Sequence, residues 1–86
     1  MKREYTYDIL MNNSREVFRE LCNKIEKYYP IARKDDLAID VDGTTIQIYN
    51  VDGGKIVVFD DYELEMIYIE SDIELPKKIK KKKKIA

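Results

Sequence analysis

The stretch "DDYELE" places Asp60, Asp61, Glu63 and Glu65 within six residues, a density of carboxylates that could serve paired acid–base catalysis or hold a divalent cation. Either use needs supporting residues that are missing. The chain has no histidine, the commonest general base and metal ligand, and Cys22 is its one cysteine, so zinc is excluded. "DVDG" ending at Gly43 and "NVDG" ending at Gly53 look like the start of a calcium loop, whose sixth residue is glycine and whose first and twelfth carry carboxylates. With Gly43 in the sixth place, the first falls on Ala38 and the twelfth on Tyr49; with Gly53 they fall on Ile48 and Phe59. None of the four can ligate. Three glycines in all are too few, and wrongly placed, for a phosphate-cradling loop. The expectation is a protein that is not an enzyme, without metal or cofactor.

Charge carries more information. Residues 35 to 74 hold twelve carboxylates against the single cation Lys55, whereas residues 77 to 84 hold seven lysines. The acidic sector suggests a partner-binding surface made of Asp60, Asp61, Glu63, Glu65, Glu70 and Asp72, with Tyr49, Ile56 and Ile67 supplying apolar contact. Its partner would be a protein with a basic groove, one that handles nucleic acid. The plainer reading is that acidity keeps the domain soluble. The lysines Lys77, Lys78, Lys80, Lys81, Lys82, Lys83 and Lys84 offer an alternative, a nucleic-acid-binding arm that neutralises phosphates; they could equally form a solubility appendage or fold back on the acidic sector.

These groups need elements to hold them. In "REYTYDILM" the residues Tyr5, Tyr7, Ile9 and Met11 alternate with polar ones, the pattern of a half-buried strand. Val17, Phe18, Leu21, Cys22, Ile25, Tyr28 and Tyr29 then follow a helical period, with Asn13 as the expected cap, Glu16 completing a capping box and Pro30 as the stop. Cys22 on that stripe reads as a small buried hydrophobe. "VDGTTIQIY" and "VDGGKIVVF" repeat after ten residues, the spacing of successive hairpins. Two-residue type I′ turns at Asp42–Gly43 and Asp52–Gly53 pair Leu37 with Ile48, Ile39 with Ile46, Ile46 with Phe59 and Ile48 with Val57. A four-residue loop at 60–63 then sets Leu64 opposite Phe59. The expected architecture is α+β, in the order β-α-β-β-β-β: one amphipathic helix on one face of a mostly antiparallel sheet of four to five strands. The expected core face of the sheet is Leu37, Ile39, Ile46, Ile48, Val57, Phe59, Leu64 and Met66. Residues 1–75 form the domain and 76–86 a flexible tail. No signal-type apolar segment or membrane span is evident, so a cytoplasmic setting is expected and no membrane partner.

In size, helix-on-sheet build and concentrated acidity the chain is similar to small phage-encoded inhibitors of bacterial defence nucleases, anti-CRISPR proteins among them. That resemblance, one of size and charge with no shared motif, implies a non-enzymatic inhibitor of a nucleic-acid-handling protein. An antitoxin or immunity protein would use the same mechanism on another target.

Overall fold

The computed structural model describes residues 3–82. Along the chain run β1 (Tyr5–Leu10), α1 (Arg15–Tyr28), β2 (Arg33–Lys34), β3 (Ala38–Ile39), β4 (Thr45–Val51), β5 (Gly54–Asp61), β6 (Met66–Ser71) and α2 (Lys77–Lys80). The strands form one antiparallel sheet in the order β1-β6-β5-β4-β2, with β3 pairing to β4 alongside β2. The α+β class, the antiparallel sheet and the single long helix are as expected; the sheet has six strands, two of them only two residues long.

Helix α1 begins one residue later than its sequence cues suggest. Ser14 is the cap, its Oγ accepting the Val17 N–H at 3.1 Å. Asn13 is occupied elsewhere: its side-chain amide donates to the Asp60 carboxylate at 2.7 Å and to the Asp61 carbonyl at 3.0 Å, tying the helix start to the end of β5. Phe18, Leu21, Cys22 and Ile25 form the buried stripe. A bulge between Asp8 and Leu10 turns both Ile9 and Leu10 inward and leaves Met11 exposed, ending the alternation.

The helix covers the face of the sheet opposite to the expected one. Under it lie Tyr49, Ile56, Val58, Ile67 and Ile69, each fully buried, joined by Tyr7 and Ile9 of β1. On the open face Val57 is buried as expected, Ile46, Ile48, Phe59 and Met66 stand half-buried, and Leu37, Ile39 and Leu64 are exposed. The residue pairing is nonetheless right for β4 and β5, with Ile46 opposite Phe59 and Ile48 opposite Val57.

Two loops explain the remaining differences. At the first hairpin, Asp40 pairs with Thr44 and the Gly43 N–H returns to the Asp40 carbonyl, a three-residue loop closed by Gly43 at φ +92. Ala38 therefore faces Ile46, one residue off the expected register, which turns Ile39 to the other side. The second hairpin does have the two-residue Asp52–Gly53 turn. Only its glycine has positive φ, so neither turn is type I′, which needs positive φ at both central positions. The loop before β6 spans 62–65 and closes on Glu65 at φ +53, so Phe59 faces Tyr68 and not Leu64. This shift of four residues preserves the faces.

The domain does not stop at residue 75. Pro76 precedes a short helix whose Ile79, with Leu75, is 2% exposed and belongs to the main core. Lys80 folds back, its Nζ 5.5 Å from the centre of the Tyr7 ring and 3.8 Å from the Glu74 carboxylate. Lys81 and Lys82 follow, exposed, while Lys83 and Lys84 lie outside the described residues.

Candidate interaction surfaces

The carboxylates grouped in the sequence are divided by the fold. Asp60 points under the helix, is 3% exposed and is held by Asn13, so it is no surface contact. Tyr49, Ile56 and Ile67, expected to supply apolar contact, are 0% exposed and cannot touch a partner, because the helix lies on their face of the sheet. Glu70 and Asp72 sit at the far end of β6, where Arg3 approaches them to 3.8 Å and 4.0 Å. Asp72 also accepts the Lys55 N–H at 2.8 Å and so fixes the β4–β5 hairpin.

Asp61, Glu63 and Glu65 remain together, and they gain neighbours. The loops 40–44 and 62–65 are joined by a hydrogen bond from the Tyr62 N–H to Thr44 Oγ1 at 3.1 Å. Gly43 packs on the Tyr62 ring so closely that a Cβ there would stand 2.7 Å from it. Asp61 organises its own loop, accepting the N–H groups of Glu63 and Leu64 at 3.0 and 2.9 Å and the Tyr68 hydroxyl at 3.0 Å. Asp42 accepts the Thr44 N–H at 3.0 Å, and this bond holds its carboxyl below the usual range. Asp40, Asp42, Asp61, Glu63 and Glu65 thus share one end of the molecule, and none is ion-paired among the described residues. Val41, Tyr62 and Leu64 are exposed beside them. The proximity of the two loops is not visible in the sequence; the exposed apolar residues flanked by acids, "DVD" and "DYELE", are its signal.

Beside this acidic end the open face of the sheet continues as Ile46, Ile48, Phe59, Met66 and Tyr68, with Phe59 and Tyr68 stacked at 4.7 Å.

A cleft of about 440 Å³ lies between α1 and the 34–37 segment, lined by Arg15, Arg19, Glu26, Lys34, Thr45, Gln47 and Asp60 among others. Two groups of this lining, Glu26 and Cys22, and Tyr49, which bonds to Glu26, are shifted from their ordinary values. Glu26 accepts the Tyr49 hydroxyl and pairs with Lys34 at 3.0 Å; the Tyr49 bond above all holds its carboxyl low. Burial, then the Glu26 bond, drives the Tyr49 phenol far above its ordinary value, and burial raises the Cys22 thiol. Near pH 7 the three stay as carboxylate, phenol and thiol. Among the described residues no cluster of three or more His, Cys, Asp or Glu is arranged to hold a metal ion, and no helix is long and apolar enough to cross a membrane.

The lysines of α2 are brought beside α1. Lys24, Lys27 and Tyr28 of α1 meet Lys78, Ile79 and Lys81 around a concavity of about 440 Å³. Comparison with protein families, with curated proteins and with solved structures found no match to this chain.

Proposed function

We propose that this chain is a non-enzymatic interaction protein whose acidic end occupies a basic groove on a nucleic-acid-handling protein, as a phage counter-defence inhibitor would. The observation that supports it is the pair of hydrogen-bonded loops carrying Asp40, Asp42, Asp61, Glu63 and Glu65, none of them ion-paired among the described residues, around exposed Val41, Tyr62 and Leu64. Carboxylates fixed on rigid turns hold a spacing that a groove built for phosphates can match, and rings among them supply the desolvated contact that charge alone lacks.

The test uses Asp40→Asn, Glu63→Gln and Glu65→Gln together, because these side chains make no hydrogen bond that shapes the loops. Wild-type chain immobilised in nuclease-treated bacterial lysate should retain a basic protein that the triple variant loses, and should inhibit that protein's action on nucleic acid. Equal capture and inhibition by the triple variant would remove the acidic end from the function.

A further inference from the structure

We propose that the groove between α1 and α2 binds single-stranded nucleic acid, with Lys24, Lys27, Lys78 and Lys81 on its phosphates and Tyr28 as a stacking platform for a base. Among the described residues the lining of this groove contains four lysines and no carboxylate. A concentration of cations without acids is complementary to a polyanion and releases counterions when one binds. Two of these lysines would be a featureless charged run if α2 were not docked, but Leu75 and Ile79 anchor it in the core. Lys78 and Lys81 are thereby held opposite Lys24 and Lys27, while Lys80 is turned away onto Tyr7.

The shape selects among polyanions. A bilayer is flat and rewards protruding apolar groups, whereas this site is concave and its buried isoleucine is not offered to solvent. Tyr28 is 54% exposed, its ring set at 63° to that of Tyr29 with centroids 5.0 Å apart, and an exposed ring at a basic groove takes an unpaired base on its face. The groove lies toward the C-terminal end of α1; Lys27 follows Arg15 by twelve residues, about 18 Å of helix, so this site is separate from the acidic end and does not depend on that reading.

Anisotropy of a fluorescein-labelled fifteen-residue oligothymidylate, titrated with the full chain at several salt concentrations, tests it. Four phosphate contacts predict a slope of log affinity on log salt of about −3. Lys27→Gln, Lys78→Gln and Lys81→Gln combined should weaken binding by roughly tenfold or more in low salt and flatten the slope. Tyr28→Ala should weaken it by roughly tenfold, the loss of one stacked base, at unchanged slope. A chain ended after Lys82 should bind as the full chain does. Wild-type affinity in the triple lysine variant, loss of binding on truncation after Lys82, or binding to phosphatidylserine vesicles without binding to the oligonucleotide would each overturn the proposal.

Discussion

Tyr49, Ile56, Val58, Ile67 and Ile69 on one face of the sheet and Ile46, Ile48, Val57, Phe59, Met66 and Tyr68 on the other are nearly equal in apolar bulk, yet only the first set lies under a helix. What separates them is the company they keep along each strand. On the open face Lys55, Asp61 and Glu70 share the rows with the apolar groups, and each reaches solvent. On the covered face the polar residues are mostly uncharged, Thr45, Gln47 and Ser71, and the one strand carboxylate, Asp60, is met by Asn13. Burying Lys55 or Glu70 under α1 would cost several kcal/mol without a partner, so charge placement chooses the face when hydrophobicity does not.

The comparison is broken most directly by truncation. Ile67→Ala should destabilise by about 2 to 5 kcal/mol, since it empties a site with no exposure. Phe59→Ala on the open face should lose about 1 kcal/mol, mainly its stacking on Tyr68. Equal losses in denaturant melts would mean that the open face is covered in solution.

Gly54→Ala comes next. Gly54 has φ +142, and a Cβ there would stand 2.4 Å from the Asp72 side chain that caps the hairpin. About 1 to 3 kcal/mol should be lost, by strain that either face would feel equally. Tyr49→Phe is smaller still: it keeps the covered ring but removes the hydroxyl bonded to Glu26, at about 1 kcal/mol.

The pH profile sharpens this last point. Glu26 has its pKa lowered in the fold, so its contribution is complete above the ordinary glutamate pKa, about 4.3, and disappears as pH falls through the folded value. Tyr49 has its pKa raised, so stability is complete below the ordinary tyrosine value, about 10, and declines as pH rises beyond it. Glu26→Gln should flatten the acid limb of stability, and Tyr49→Phe the alkaline limb; an unchanged acid limb in Glu26→Gln would mean that the Tyr49 bond is absent in solution. The smallest effect belongs to Glu65→Gly. It relieves a left-handed backbone but loosens the unfolded chain, for a net change within about 1 kcal/mol, while removing one carboxylate from the acidic end. Stability melts and partner capture should therefore separate in this variant.

Much of the fold is legible in the residues. The stripe from Phe18 to Ile25 and the Asp52–Gly53 turn fix one helix and the register of β4 on β5 by local chemistry alone. The first hairpin is not, because the same Val-Asp-Gly triplet opens to three residues where Asp42 and Tyr62 engage Thr44, a contact between loops 18 residues apart. The choice of face follows from charges read across strands, and so required the pairing first. Helix α2 is hidden by its composition: Leu75, just before the Pro76 cap, and Ile79 within the helix both enter the core, a pair that the lysines obscure. Of the surface residues singled out from sequence, Asp61, Glu63 and Glu65 stay grouped, since a tight loop keeps neighbours together, whereas Glu70 and Asp72 are carried the length of a strand away.

The brevity of β2 and β3 has a consequence for how copies of this chain meet. Beyond β4 the sheet is finished by two fragments of two residues each, with Asp35 and Asp36 exposed between them and Gln47 donating its side-chain amide to the Asp35 carbonyl at 2.6 Å. At the other margin β1 carries its bulge, and α2 packs against it. An incoming strand thus finds no long, flat row of free amides and carbonyls on either side. Protection against edge-to-edge aggregation and fibril growth is built into the margins.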